Sequence, residues 1–238
     1  MVVCISECEQ RLTDRTGLPG NRLEVLSPGV DLTEFERVRG SFYTRYGIDA
    51  SRDAVLLFVS RVAPEKGLPT LIRAFAEALR REPALVLAIV GPDLGYQRQV
   101  EALATALRCG EKVVFTGPAS REDLIAAYQQ ATVFVFPTEY EAFGIVLIEA
   151  MAAGLPVVAS RAAAVPFVVA DGETGLLFHF RDHLEMSRHI LDIVWHGSLQ
   201  TALSKEARRQ VERRFDQHSQ LLKVEQIYDS VLGKHRVM

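Results

Sequence analysis

The 238 residues are 48% hydrophobic, 24% charged and 8% aromatic, enough to bury one large core or two small ones, and a formal charge of −3 provides no basic field to draw the chain onto nucleic acid or anionic lipid. Cys4, Cys8 and Cys109 have neither the count nor the spacing of a disulfide framework, and Cys4 and Cys8 lack further Cys or His nearby to complete a metal site. With no apolar run near the roughly 18 residues of a membrane span, and a start too short and uncharged for a signal peptide, the expected setting is cytoplasmic, with no nucleic-acid partner and no transmembrane segment.

In chain order, residues 2–5 form an apolar, strand-like run with no partner nearby in sequence, so it either adds to a sheet edge or belongs to a domain outside this chain. With a short helix it makes up a flanking piece, residues 1–20. A strand at 22–26 leads into the turn Ser27-Pro28-Gly29-Val30-Asp31, where Asp31 suits a helix cap. From Asp53 onward, short runs rich in Val, Ile, Leu and Phe alternate with segments of helical period. The strands fall at 54–60, 85–90, 112–116, 132–137, 156–160 and 175–178. A helix at 68–81 has Leu68, Leu71, Ile72, Phe75, Ala76 and Leu79 on one face and Pro69 in its first turn. Ser120-Arg121-Glu122-Asp123 reads as a capping box opening a helix at 124–130. Three further helical segments and no strand follow residue 181. The expected fold is α/β: a Rossmann-like parallel sheet with helices on both faces, plus C-terminal helices.

In open parallel sheets, ligands bind beyond the carboxyl ends of the strands, where helix N-termini also point. The most informative loop is Glu139-Tyr140-Glu141-Ala142-Phe143-Gly144-Ile145-Val146-Leu147-Ile148-Glu149, after the strand ending at Pro137. A helix starting near Phe143 aims the free N–H groups of Phe143, Gly144 and Ile145 at the crevice, an anion site, and Gly144 lets a phosphate approach closely. Glu149 is the sole charge between Ala142 and Ser160. It lies on the same helix face as Ile145, about 6 Å further along the axis, which suits the distance from a diphosphate to its ribose. Two sugar hydroxyls would satisfy its carboxylate; so would a neighbouring backbone group or an Arg, and the residue pattern leaves both open. Glu141 is equally readable as an exposed loop charge.

Ser60-Arg61-Val62-Ala63-Pro64-Glu65-Lys66-Gly67 forms the second constellation. Arg61 can bind phosphate oxygens bidentately and Lys66 adds a compact point charge, so together they can neutralise a diphosphate; two solvated loop cations are the plainer alternative. Gly91-Pro92-Asp93-Leu94-Gly95 lacks the spacing of a dinucleotide site and reads as a strand-to-helix turn. The histidines have no metal-like spacing beside acids, no D-x-D pair occurs, and no G-x-S-x-G elbow is present, so neither a metal nor another cofactor is expected.

These motifs, with Gly117, Pro28-Gly29-Val30-Asp31, Glu149-Ala150-Met151-Ala152, Gly154-Leu155-Pro156-Val157 and Asp171-Gly172-Glu173-Thr174-Gly175, resemble the C-terminal half of retaining family-four glycosyltransferases of the GT-B fold, over almost the whole chain. Glu141 and Glu149 match that family's pair of glutamates separated by seven residues. The resemblance implies that Arg61 and Lys66 hold the diphosphate of a nucleotide-sugar donor, Glu149 its ribose, and Glu141 with the backbone of Phe143, Gly144, Ile145 and Val146 the transferred sugar. Arg61, Lys66 and Glu141 would then be the catalytic set, without a protein-bound metal. It further implies that residues 1–20 are the remnant of an N-terminal acceptor-binding half, that 21–215 form the donor-binding domain, and that the helix within 216–238 packs back on that other half. On this expectation the chain alone is inactive. The rival readings are a non-catalytic nucleotide-binding or assembly module and a sugar-nucleotide epimerase. Ala163-Ala164-Val165-Pro166-Phe167 stands where the family often has Gly-Gly-x-Pro-Glu, and Ala142 where it often has Gly. Alanine's aversion to positive φ predicts another path for that loop.

Overall fold

The computed structural model describes residues 2–16, 23–37 and 40–233. At the start, β1 (Val2–Cys4) precedes α1 (Glu7–Asp14), and β2 (Leu23–Val25) returns to pair with β1 in parallel, Val2 opposite Leu23. The first run thus has a partner, and the strand expected at 22–26 leaves the main sheet to supply it. Periodicity and composition mark a strand but carry no information on which sheet takes it. Arg22, Met1, residues 17–20 and 234–238 of the segments set apart above lie outside the described residues.

The main sheet is six-stranded and wholly parallel, built from β3 (Ala54–Val59), β4 (Leu85–Val90), β5 (Val113–Gly117), β6 (Val133–Phe136), β7 (Val157–Ser160) and β8 (Leu176–Phe178). Every residue of β4 and all but the first of β3 are buried, because helices cover both faces and leave no side for a polar residue to alternate toward. The helices are α2 (Leu68–Leu79), α3 (Gln97–Ala106), α4 (Arg121–Gln130), α5 (Ile145–Ala152), a short α6 (Val165–Val168), α7 (His183–Trp195), α8 (Gly197–Arg214) and α9 (Gln217–Leu232). Helix α2 packs on α3 and α7, while α5 packs on α8. It ends two residues sooner than expected. Pro83 follows Glu82, and the residue before a proline is driven out of the helical region. Helix α4 begins at Arg121, three residues before the expected 124, because Ser120 is itself the N-cap and its hydroxyl accepts from the Asp123 N–H over 3.1 Å, so the box lies within the first turn. Among the described residues, no helix is long and apolar enough to cross a membrane.

Strand order is β5-β4-β3-β6-β7-β8. From β3 the chain winds outward through β4 to β5, then crosses back and winds the other way from β6. The loops after β3 and β6 therefore diverge to opposite faces and leave a crevice between them, the place where open α/β sheets take ligands.

Candidate functional site

The loop after β3 is anchored to the loop after β6. Gly67 has φ +69°, and a Cβ there would stand 1.9 Å from the Pro137 carbonyl oxygen, so only glycine lets the two loops touch. The Glu139 N–H donates to the Glu65 carbonyl over 3.0 Å beside this contact. Their approach sets Lys66, 9% exposed, against Glu141, with Nζ 3.2 Å from Oε2 and 5.9 Å from the Phe136 ring centre. Two residues more than 70 positions apart thus form a part-buried ion pair at the switch point. Arg61 takes a different course: its side chain is 57% exposed and lies 3.5 Å from Glu65 of its own loop.

Beyond β6 the helix starts at Ile145, two residues later than the sequence implied, because Gly144 adopts φ +93° and acts as its N-cap. A left-handed residue cannot belong to the helix, so the turn opens one step further on. The backbone N–H groups of Phe143, Gly144, Ile145 and Val146 have no acceptor among the described residues. With Glu141 these residues line a cleft of about 290 Å³ closed by Ile5, Pro28, Ser60 and Phe136. Free N–H groups at a helix start, carrying the positive end of its dipole, constitute an anion-binding surface. Arg61, Lys66 and Glu149 are not among the residues lining that cleft.

Glu149 lies one turn into α5, 8% exposed, and both carboxylate oxygens are engaged. Tyr128 of α4, fully buried, donates its hydroxyl to Oε2 over 3.0 Å, and the Arg121 guanidinium is hydrogen-bonded to Oε1. Arg121 also reaches Glu34 at 2.6 Å, so a single guanidinium joins two acids. Of the alternatives left open for Glu149, the structure realises pairing with an Arg. Each carboxylate oxygen keeps a second lone pair, so the pairing does not preclude hydroxyl donors. Burial, then the Glu149 charge and hydrogen bond, push the Tyr128 pKa well above its ordinary value. Burial pulls the Arg121 pKa down, but the Glu34 hydrogen bond and the Glu149 interactions outweigh it, and the group is raised.

Arg121, Tyr128 and Glu34 did not emerge from the sequence as site residues. One signal was present: Arg121 opens α4 where the helix dipole favours acids, and a cation at that unfavourable place needs a carboxylate partner. The loop at 161–165 also departs from expectation. Ala163 occupies the left-handed region at φ +43°, so the alanine has not driven it to negative φ; Ala142 is not among the positive-φ residues. The Ala164 N–H donates to the Glu141 carbonyl over 3.0 Å, tying this strained turn to the cleft. At Gly91-Pro92-Asp93 the turn reading holds: the Asp93 carboxylate accepts from the N–H groups of Gly95, Tyr96 and Gln97. Among the described residues no cluster of His, Cys, Asp or Glu is arranged to hold a metal.

Residues 48–210 match the family described as glycosyl transferases group 1. The D-inositol 3-phosphate glycosyltransferase of Rhodococcus jostii (strain RHA1) is 31% identical over 219 residues, covering 89% of this chain and 48% of that protein. Among solved structures, sucrose-phosphate synthase from Thermosynechococcus elongatus is similar with a TM-score of 0.87 at 29% identity, over 98% of this chain and 59% of that one. Anabaena Alr3699/HepE, solved in complex with UDP and glucose, shares the fold with a TM-score of 0.87 at 22% identity, over 97% of this chain and 63% of that one. The chain spans about half the length of the curated relatives it matches.

Proposed function

This chain belongs to the glycosyl transferases group 1 family, and on that premise we propose that it is the donor-binding half of a retaining glycosyltransferase that moves a sugar from a nucleoside-diphosphate sugar to an alcohol. The observation that supports this most is the row of unpaired N–H groups from Phe143 to Val146, lining a cleft with Glu141, the acid that Lys66 contacts at 3.2 Å. A diphosphate laid on that helix start takes these donors together with the free protons of the Lys66 ammonium, while the exposed Arg61 turns from Glu65 and closes over it bidentately. Glu149 accepts ribose hydroxyls on its remaining lone pairs, and Glu141 orients the transferred sugar. As the glycosidic bond breaks, negative charge gathers on the departing phosphate oxygen. Fixed N–H dipoles and Lys66 stabilise that charge without having to reorganise, which is the catalytic contribution of this half. No protein-bound metal or other cofactor enters this scheme. The acceptor site belongs to an N-terminal half of similar size, without which the chain is inactive, and the setting is cytoplasmic.

Calorimetry of the chain with UDP, GDP and ADP tests the donor role: one of them binds at a single site, and a folded chain that binds none at millimolar concentration contradicts it. The strained Ala163 beside Glu141 favours a second reading, a nucleotide-binding or assembly module without catalysis. Supplying an N-terminal half and assaying sugar transfer separates the two, since a module stays inactive while still binding nucleotide.

A further inference from the structure

A second cavity, of about 400 Å³, opens on the α2 and α7 side of the same loops and is lined by Thr70, Arg73, Glu139, Arg181 and His183. Thr70 lies in the first turn of α2 and His183 is the first residue of α7, so two neighbouring helix starts converge on it. The start of α2 brings the positive end of its dipole, whereas at α7 the Asp182 carboxylate already caps the Leu184 and Glu185 N–H groups. Arg73, one turn along α2 from Thr70, spends one donor on the Pro69 carbonyl at 3.1 Å and keeps the others. Arg181 lies 3.3 Å from Glu139, the one acid among the lining residues, and its side chain is 68% exposed. Thr70 is 8% exposed, and its hydroxyl has no hydrogen-bond partner among the described residues. Two guanidiniums and the start of α2 face a single lining carboxylate, and the Thr70 hydroxyl among them has an unused proton to donate. Neither Lys66 nor any of residues 141–146 lines it.

We propose that this cavity is a second anion site, distinct from the donor cleft, that takes the phosphate of a phosphomonoester. Its dianion accepts from the forked guanidiniums of Arg73 and Arg181 and from the Thr70 hydroxyl, with Glu139 turning from Arg181 to solvent. The site does not depend on the donor reading, and the test keeps them apart. The full chain is titrated calorimetrically with inorganic phosphate at constant ionic strength, with and without saturating UDP. One phosphate is expected to remain bound under saturating UDP, which occupies the donor cleft and leaves the second cavity to be read alone. Arg73→Ala with Arg181→Ala should weaken it at least about tenfold and Thr70→Val severalfold, while Lys66→Ala leaves it unchanged. The two arginines are exposed, so their removal leaves the core intact, which circular dichroism verifies. Repeating the titration with glycerol 3-phosphate and with phosphatidic-acid vesicles tells a soluble phosphomonoester from a lipid headgroup; binding of either through Arg73 and Arg181 supports the site. Absence of phosphate binding in the millimolar range, equal affinity in the double arginine variant, or loss on UDP addition or Lys66→Ala overturns it.

Discussion

Arg121 illustrates how a single side chain can link distant segments: through it the carboxylate of Glu149, buried in α5, is joined to Glu34. Removing a partner from a buried charge leaves the desolvation penalty uncompensated. Because Arg121 itself is 40% exposed, solvent screens part of the loss. Arg121→Ala is therefore expected to destabilise the fold by about 1–3 kcal/mol in urea denaturation, with Arg121→Lys recovering part of it. Tyr128 and Tyr43 give a pH signature. Both are buried, burial being the main cause that raises their pKa in the folded chain. The unfolded tyrosine ionises near ~10, so its stabilising contribution is complete below that pH and is lost as pH rises through and beyond it. Denaturation midpoints should fall above pH ~10, less steeply in Tyr43→Phe with Tyr128→Phe; equal slopes would refute the attribution. Ala163, at φ +43°, invites the opposite change. Ala163→Gly removes roughly 1–2 kcal/mol of left-handed strain, offset in part by glycine's greater chain entropy, so a net gain of about 0.5–1 kcal/mol is expected from thermal or chemical melts.

At the level of elements, Gly67 is the hinge of the site. Gly67→Ala must both hold φ +69° and clear the Pro137 carbonyl, which it can do only by parting the loops after β3 and β6. Loss of more than ~2 kcal/mol and weaker nucleotide binding are expected together; a variant with unchanged affinity would uncouple that contact from the site. The same loops show what could be read beforehand. The strand Leu85–Val90 was legible to the residue because six successive apolar side chains between Pro83-Ala84 and Gly91-Pro92 fit a strand buried on both faces. The capping box at Ser120 likewise identified its helix through purely local chemistry. β2 was a recognisable strand but not a recognisable partner of β1, since sheet membership depends on contacts between segments that spacing does not encode. The start of α5 slipped because the left-handed bend at Gly144 depends on how the loop fits over Leu147 and Glu141. Candidates at Lys66 and Glu141 were visible as residue types in loops after strands; their 3.2 Å contact follows from strand order, and strand order is not written in any one motif.

Seen as a whole, the molecule places its polar chemistry beyond the carboxyl ends of the central strands β3 and β6, and its last helix carries much exposed apolar surface. In α9 only Gln220 is buried, while Leu221, Leu222, Tyr228, Val231 and Leu232 are exposed. A helix with so little burial gains little from the rest of the fold, so amide exchange in α9 should be much faster than in β4 for the chain on its own. The central claim is that the helix start after β6 holds a diphosphate by its backbone. The most direct measurement is a proton–nitrogen correlation spectrum of the labelled chain titrated with UDP. The account predicts that the amides of Phe143, Gly144, Ile145 and Val146 shift most, saturating together with a single affinity that Lys66→Ala lowers. Unmoved amides at those positions in a folded chain, or largest shifts elsewhere, would contradict it.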